Sequence, residues 1–253
     1  MALYNENFSK YYDELLSDLD YAKRADFLCR LAKKYRNEIN LVLDLACGTG
    51  SLSTELANLG KDVIAVDNSY EMLMIAREKN METEPQILFL CQDMEELDLY
   101  GTVDVAFCTQ DSFNHLKNKD SLLKAFERLK FFIEPKGLLI FDMNTPYKHK
   151  NVLGEEVFVY DCDDVYCVWQ NFYTEKENAV DIELDFFEPC KDNKYERTQQ
   201  SLREFSCPIK EVEQMLNKAE FTLLEVQGDY NGEPATDTDE RWVFVAQRND
   251  YKI

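Results

Sequence analysis

The feature that most constrains this chain is a short apolar run that ends in two closely spaced glycines. Residues 40–45 read NLVLDL, and residues 46–50 read ACGTG. An apolar run of this length predicts a strand buried on both faces, as in parallel sheets. Gly48 and Gly50 permit backbone angles that a side chain hinders, and they let a ligand lie against the backbone. The pattern therefore predicts a strand, a tight turn and a helix, with a ligand site at the turn.

Strand and helix patterns alternate along much of the chain. The strand-like runs lie at residues 40–45, 62–67, 87–90, 103–108, 138–142, 221–226 and 241–246. Helical spacing precedes the first run at residues 11–37 and recurs between later runs. Because alternating strands and helices form parallel sheets with right-handed crossovers, we predict an α/β fold with a doubly wound, mostly parallel, seven-stranded sheet.

The pattern of alternating strands and helices gives way to β-rich segments after about residue 150. The β-rich segments there lie at residues 157–161, 165–173, 180–187 and 194–205, with turn residues between them. They predict an inserted antiparallel sheet. We therefore predict a core formed by residues 1–150 and 208–253, and an inserted β subdomain at residues 151–207 that acts as a lid on the substrate side.

Charge and cysteine content exclude several classes of protein. The 49 acidic and 28 basic side chains give a net charge of −21, which disfavours nucleic acid as a partner, although a local basic groove stays possible. The eight cysteines form no CxxC pair, and two histidines make a histidine-based metal site improbable, so no metal is predicted. Without an apolar signal core or a run near the ~20 residues that span a membrane, the chain is predicted to be cytoplasmic.

Acidic residues at the end of the second strand and after the third strand narrow the class of ligand. Asp67 follows Gly50 by 17 residues and closes the second strand, where a carboxylate can accept hydrogen bonds from ribose hydroxyls. The segment after the third strand places Asp93 where it can receive an adenine amino group. The other predicted adenine contacts are Asn68, Met72, Gln92 and Met94. The alternative is that Asp67 caps a helix and Asp93 starts a loop.

A nicotinamide dinucleotide is the main rival ligand. Its turn prefers a third small residue, and Ser53 at that place is tolerable. Asp44, just before the turn, discriminates better. An acid there suits a ligand with positive sulfonium and ammonium groups and is awkward beside a pyrophosphate.

Residues 43–50, LDLACGTG, resemble the first motif of the class I S-adenosylmethionine-dependent methyltransferases. Asp67 resembles their ribose-binding acid, and residues 92–94 resemble their adenine-binding segment. Residues 11–13, YYD, and the β-rich insertion resemble a bacterial small-molecule branch that includes amino-sugar N-methyltransferases.

The resemblance implies that S-adenosylmethionine is the cofactor. It also implies that its methionine portion contacts the first-turn amides of Ala46 and Cys47 together with Gly48, and that Tyr12 closes over the cofactor. Equally, Tyr12 can belong simply to an amphipathic helix.

The segment after the fourth strand, residues 109–115, is expected to lie where the methyl group is transferred. Thr109 opens it on the cofactor side, Asp111 can accept a proton from an acceptor, and Asn114 can orient that acceptor. His115 is a second candidate base, although a lone histidine at a helix start is more often structural. Further substrate walls are predicted at Asn144, Trp169 and Tyr173.

The predicted activity is methyl transfer to nitrogen or oxygen of a small-molecule acceptor by in-line displacement. The Asn/Asp-Pro-Pro-Tyr/Phe stretch that marks many base amino-group methyltransferases is absent, since residues 110–113 read QDSF. An RNA or protein methyltransferase, a non-catalytic S-adenosylmethionine-binding protein and a nicotinamide oxidoreductase are the alternatives.

Overall fold

The structure of the chain, a computed structural model, describes residues 6–81 and 86–250. Its helices are α1 (Glu6–Leu15), α2 (Tyr21–Lys33), α3 (Ser51–Asn58), α4 (Tyr70–Asn80), α5 (Lys119–Leu129) and α6 (Ile209–Lys218). Its strands are β1 (Leu41–Leu45), β2 (Asp62–Asp67), β3 (Leu88–Cys91), β4 (Val103–Cys108), β5 (Ile133–Asn144), β6 (Val157–Asp161), β7 (Tyr166–Thr174), β8 (Ala179–Pro189), β9 (Tyr195–Phe205), β10 (Phe221–Gly228) and β11 (Arg241–Arg248).

The larger sheet has seven strands in the order β10-β11-β5-β4-β1-β2-β3. β1 pairs in parallel with β2 and β4, and the β2–β3 and β4–β5 pairs are also parallel. β11 runs antiparallel to β5 and β10. The predicted doubly wound, mostly parallel sheet is therefore confirmed. Because the strand order reverses between β1 and β4, a crevice forms where their carboxyl ends meet.

Helices cover both faces of this sheet, which explains why its central strands are continuously apolar. α2, α3 and α4 pack on one face, where Leu28 and Leu73 join Val42 of β1 in one buried cluster. α5 and α6 pack on the other face, where Phe126 joins Leu43. Alternate side chains of β1 thus enter opposite cores, as the pleat requires.

The predicted antiparallel insertion is also confirmed, as a separate four-stranded sheet with the order β6-β7-β8-β9. Its buried cluster includes Cys167, Ile182 and Phe186, and α1 contributes Phe8 and Tyr11 to the same cluster. Since α1 also contacts α4, this helix lies between the inserted sheet and the larger one.

The helical spacing predicted at residues 11–37 corresponds to two helices, the first of which begins before residue 11. Residues 16–20 separate α1 from α2, and Asp20 begins α2 as its N-cap, with Oδ1 accepting a hydrogen bond from the Lys23 amide at 3.0 Å. Both helices bury one face, so the apolar pattern continues across the break. They bury those faces against different sheets, however. Sequence periodicity does not record which surface a helix packs on.

The fifth strand begins earlier than the predicted residue 138. β5 starts at Ile133, and its register with β4 shifts between Val103 and Val105. Lys136 adopts a φ of 65° at this irregularity. The segment predicted as a turn before the strand is therefore a bulge within it.

Three general properties follow from the described residues. No helix within residues 6–81 and 86–250 combines the length and apolarity needed to cross a membrane. Within the same ranges, no group of three or more His, Cys, Asp or Glu side chains is arranged to hold a metal ion. The eight cysteines are free thiols.

Gly50 and Gly60 offer a matched test of how the glycine turn packs. Both have positive φ, 74° and 77°, but a Cβ on Gly50 would lie 3.0 Å from Ala76 Cβ and 3.3 Å from Phe89 Cε1, whereas one on Gly60 would meet nothing within 4 Å. We expect Gly60→Ala to cost about 1–2 kcal/mol of unfolding free energy from backbone strain alone. Gly50→Ala should cost at least about 1 kcal/mol more, because overpacking is added. Urea unfolding measures both, and equal costs would contradict the packing role.

Candidate active site

A cavity of about 420 Å³ opens at the carboxyl ends of β1, β2 and β3. The predicted cofactor residues that line it are Tyr12, Ala46, Gly48, Asp67, Asn68, Met72, Gln92, Asp93 and Met94. Parallel pairing brings these strand ends to one edge of the sheet, so residues distant in sequence face one space. Its volume is that of a small-ligand site. We call it the cofactor cleft.

The turn after β1 is held by backbone hydrogen bonds. Cys47 N donates to Val66 O at 3.0 Å, and Gly50 N donates to Cys47 O at 2.9 Å. Ala46 and Gly48 have φ values of 58° and 55°. These left-handed conformations turn the chain sharply out of the sheet, so its backbone forms one wall of the cleft.

Asp67 joins this turn to the end of β2. Its Oδ2 accepts a hydrogen bond from Gly48 N and its Oδ1 accepts one from Ser69 N, both at 2.8 Å. Burial raises the pKa of this carboxyl, whereas the backbone hydrogen bonds act to lower it. Each oxygen retains a further lone pair, so the carboxylate can still accept hydrogen bonds from a ligand in the cleft.

Asp44 lies behind the turn and is 2% exposed. It accepts a hydrogen bond from Ser53 Oγ. Burial, with a contribution from the charge of Asp67, raises the pKa of Asp44 to about 7. Asp44, Ala46, Cys47 and Thr109 of the predicted set line a small cavity there, together with Tyr12.

These two carboxylates fit a positively charged ligand. Among the ion pairs of the described residues, none involves Asp44 or Asp67. Buried carboxylates without a cationic partner are costly, and a ligand cation would offset that cost. The sulfonium and ammonium groups of S-adenosylmethionine supply such charge, so the residues present suit this cofactor.

α1 is fastened over the glycine turn. Asp13 Oδ1 accepts a hydrogen bond from Thr49 Oγ1 at 2.6 Å, and Asp13 Oδ2 pairs with Lys79 Nζ at 2.8 Å. A Cβ added to Gly48 would lie 3.9 Å from Tyr12 Cε1, so the tyrosine ring covers the turn. The sequence placed Tyr12 over the cofactor through resemblance only and did not single out Asp13.

Gly50 differs from the other predicted cofactor residues because it lines neither the cofactor cleft nor the small cavity. It is the N-cap of α3, with a φ of 74°, and packs against Ala76 and Phe89. The positive φ and the close packing explain why a glycine occupies this position.

A second cavity, of about 300 Å³, lies between the segments that follow β4 and β5, α1 and the inserted sheet. It shares Tyr12, Gln110 and His115 with the cofactor cleft. Its aromatic walls are Phe8, Phe158, Tyr160 and Trp169. Its charged lining residues, in addition to His115, are Asp111, Lys148, Glu204 and Arg241. We call it the acceptor cavity.

Asp111, the predicted proton acceptor, lines the acceptor cavity. Its Oδ2 accepts hydrogen bonds from Asn144 Nδ2 at 2.6 Å and from Arg241 Nη2 at 3.0 Å. No hydrogen bond to its Oδ1 is formed within the described part of the chain. One oxygen is thus fixed by the protein while the other is available to a ligand.

Asp142, which the sequence did not single out, holds this segment in place. It is fully buried, and its carboxylate accepts hydrogen bonds from Gln110 N at 3.0 Å and Asp111 N at 2.7 Å. Gln110 and Asp111 have φ values of 59° and 51°. Arg241 and Tyr230 also bond to this carboxylate. Two strained residues are therefore secured by one buried anion.

Asn114 faces neither cavity. It is fully buried, and its Nδ2 donates to Asn144 O at 3.1 Å and Phe205 O at 2.8 Å, while its Oδ1 accepts from Asn144 N at 3.0 Å. The predicted role of Asn114 in orienting the acceptor finds no support in this geometry. Its amide instead joins β5, β9 and the segment after β4.

Glu204 is buried, and its carboxylate lies between two histidines. Its Oε2 lies 3.1 Å from His149 Nε2, and its Oε1 lies 3.7 Å from His115 Nε2. Burial acts to raise the pKa of Glu204, but the hydrogen bond from His149 and the two histidine charges outweigh it and hold that pKa below its usual range. His115, the second candidate base, is thus oriented at the junction of the two cavities.

Two of the three predicted substrate walls line the acceptor cavity, namely Asn144 and Trp169. Tyr173 does not, and its hydroxyl bonds to Asn178 Oδ1 at 3.2 Å. The residues of this cavity that the sequence missed are distributed mainly over α1, the turn after β5, β6, β9 and β11, and no short motif joins them.

Comparison with known proteins gives the family of the chain. Residues 42–137 match the family described as "Methyltransferase domain". A protein of Geobacillus sp. (strain WCH70) named "Putative methyltransferase" is 32% identical over 244 residues, which cover 96% of this chain and 99% of that protein.

Two solved structures share the fold. An S-adenosylmethionine-dependent methyltransferase from Clostridium acetobutylicum ATCC 824 superimposes with a TM-score of 0.86 at 29% identity, covering 96% of this chain and 98% of the other. CalS10 from Micromonospora echinaspora, an amino pentose methyltransferase with S-adenosylmethionine bound, gives a TM-score of 0.75 at 18% identity and covers 98% and 99%. The second likeness concerns the fold alone.

The chain belongs to the S-adenosylmethionine-dependent methyltransferases. The glycine turn and the two buried carboxylates without ion pairs fit this family. S-Adenosylmethionine is its methyl donor, and the nicotinamide alternative is set aside.

Replacement of Asp67 tests the ribose contact. Asp67→Ala should weaken binding of S-adenosylhomocysteine by about 10- to 150-fold, the loss of ~1.5–3 kcal/mol that hydrogen bonds to a charged group contribute. Titration calorimetry measures the affinity, and thermal unfolding confirms that the variant is folded. Asp62→Ala, at the exposed opposite end of β2, is the matched control and should leave the affinity unchanged. Equal affinities for both variants would remove the ribose assignment.

Asp44 makes stability depend on pH in a definite direction. Its pKa is 3.8 in the unfolded reference and about 7 in the folded chain. Between these values the folded state retains a proton that the unfolded state has lost, so stability falls as pH rises. From about pH 5 to about pH 8, ligand-free Asp44→Asn should lose less unfolding free energy than the parent, by about 2–3 kcal/mol. Urea unfolding at the two pH values measures this difference, and parallel losses would contradict it.

Proposed function

We propose that this methyltransferase acts on a nitrogen or oxygen atom of a small molecule bound in the acceptor cavity. The observation that carries the proposal is the shared boundary of the two cavities at Tyr12, Gln110 and His115. A donor in one cavity and an acceptor in the other would meet there. The volume of about 300 Å³ suits a small molecule.

The cofactor cleft supports an assignment of the individual contacts. Asp67 would hold the ribose hydroxyls. The adenine would lie among Asn68, Met72, Gln92, Asp93 and Met94. The methionine portion would lie against Ala46, Cys47 and Gly48, near Asp44 and Thr109. Tyr12 would cover it from α1.

S-Adenosylmethionine, when bound, supplies a methyl group already activated by positive sulfur. The protein's own contribution is then chiefly alignment, which can provide ~7–11 kcal/mol of the barrier. Where the nucleophile carries a proton, Asp111 would accept it at Oδ1. Because Arg241 and Asn144 fix Oδ2, this carboxylate would need no reorientation during the reaction.

The inserted sheet would act as the lid on the substrate side. It contributes Phe158, Tyr160, Trp169 and Glu204 to the wall of the acceptor cavity. The proposed division places this lid at residues 151–207 and the core at residues 1–150 and 208–253. Parts of that core, residues 1–5, 82–85 and 251–253, lie outside the described residues.

The net charge of −21 weighs against RNA as the acceptor, because affinity for polyphosphate depends on basic side chains. The activity is tested by incubating the protein with labelled methyl donor and either a small-molecule extract, bulk RNA or bulk protein. We expect label only in the small-molecule sample. Transfer to RNA or protein instead would overturn the proposed acceptor class, and donor binding without transfer to any sample would identify a non-catalytic binding protein.

Asp111→Asn should lower the rate constant for turnover by at least about 100-fold with the acceptor found in that assay, since general bases contribute ~10²–10⁴. Affinity for S-adenosylhomocysteine should not change, because Asp111 does not line the cofactor cleft. Asp181→Asn, which removes the same charge from an exposed pair with Arg203 on the inserted sheet, is the control. Unchanged turnover in Asp111→Asn would exclude Asp111 as the base.

A further inference from the structure

Lys148 gives the acceptor cavity a cation that forms no ion pair with another described residue. It lies in the π-helical turn Lys148–Leu153 that follows β5, is partly buried and lines the cavity. Its Nζ donates a hydrogen bond to Asn144 Oδ1 at 3.0 Å. That partner is a neutral amide.

The other charged groups of the cavity each contact an ionisable partner. Arg241 pairs with Asp111 at 3.0 Å and also with Asp142. Glu204 pairs with His149 at 3.1 Å and approaches His115. Among the ion pairs formed by residues 6–81 and 86–250, none includes Lys148.

More distant charges do not replace a partner for this lysine. Arg241 repels it, while Asp111, Glu204 and Glu240 attract it at longer range. Burial is the largest influence, and together with Arg241 it lowers the pKa of Lys148. A cation withdrawn from water without a contacting anion is costly, and that cost is offset when a ligand brings the anion.

We propose that the methyl acceptor carries an anionic group, a carboxylate or a phosphate, that forms an ion pair with Lys148. This inference rests on the proposed function of the acceptor cavity and specifies its substrate class. Lys148 is a specificity-determining residue in this scheme, because it contacts the acceptor away from the reacting atom.

The positions of the lining residues also orient the acceptor. Lys148 lines the acceptor cavity and not the cofactor cleft, whereas Tyr12, Gln110 and His115 line both. Asp111, the proposed base, also lines the acceptor cavity and not the cofactor cleft, and both Lys148 Nζ and Asp111 Oδ2 bond to the side-chain amide of Asn144. The anionic group would therefore lie near the nucleophilic nitrogen or oxygen, on the side of it that faces away from the junction.

The rest of the cavity favours an apolar or planar body. Phe8, Phe158, Tyr160 and Trp169 face this space from α1, β6 and β7. Aromatic walls bind flat or apolar groups through large contact area. A small molecule with an apolar or planar body and an anionic group near its nucleophile matches this lining.

The first experiment needs no knowledge of the acceptor. A bacterial small-molecule extract is separated by ion exchange into anionic, neutral and cationic fractions, and each is incubated with the protein and labelled methyl donor. We expect transfer in the anionic fraction. Phosphatase treatment of that fraction before a second separation distinguishes the sources, because a phosphate ester then loses its retention and a carboxylate keeps it.

The second experiment changes Lys148 itself. Lys148→Met should raise the apparent KM for the anionic fraction at least about tenfold, the scale of a lost charge-assisted hydrogen bond, with little change in the rate at saturation. Lys148→Arg should recover much of the affinity. Lys150→Met is the matched control, since Lys150 is an exposed lysine two residues away that pairs with Glu175 at 2.6 Å. Affinity for S-adenosylhomocysteine, measured by calorimetry, should be the same in all three variants and establishes that they are folded.

The outcomes separate this inference from the proposed function. Transfer confined to the neutral or cationic fraction overturns the anionic acceptor while the methyltransferase function stands. Equal KM values for the parent and Lys148→Met with the anionic fraction overturn the role of Lys148. Absence of transfer in every fraction removes the proposed small-molecule function and this inference with it. If Lys148→Met does not fold, the fractions and Lys148→Arg still decide.

Discussion

The hydrogen bond from Gly48 N to Asp67 Oδ2, 2.8 Å long, connects the two strand ends on which the cofactor side of the molecule depends. It requires the turn after β1 to adopt left-handed backbone angles, and Gly48 adopts a φ of 55°. It also sets a carboxylate at the edge of the cleft. Since β1, β2 and β3 are parallel, the segments after all three face the same space.

The acceptor side depends on a different buried carboxylate. Asp142 holds the amides of Gln110 and Asp111 and pairs with Arg241, so contacts within the protein fix the segment after β4. Gln110 then lines both cavities. The two sides of the active site are therefore built by separate anions and meet at one short segment.

The distribution of charge divides the site in the same way. Asp44 and Asp67 are buried acids without ion pairs on the donor side, and Lys148 is a cation without one on the acceptor side, within the part of the chain that the structure describes. Opposite charges left unpaired in two adjoining cavities are consistent with a cationic donor and an anionic acceptor, each completing the electrostatics of its own cavity.

The sequence by itself determined the alternating strands, the glycine turn, the acids near the ends of β1 and β2 and the acid after β3, because each belongs to a local pattern of a parallel sheet. Only the tertiary structure decided that the segment at residues 11–37 is two helices on different sheets. It likewise placed Asn114 in the core and brought Lys148 and Glu204 to one cavity. These features depend on contacts between segments far apart in the chain, and hydrophobic periodicity carries no record of the partner against which a face is buried.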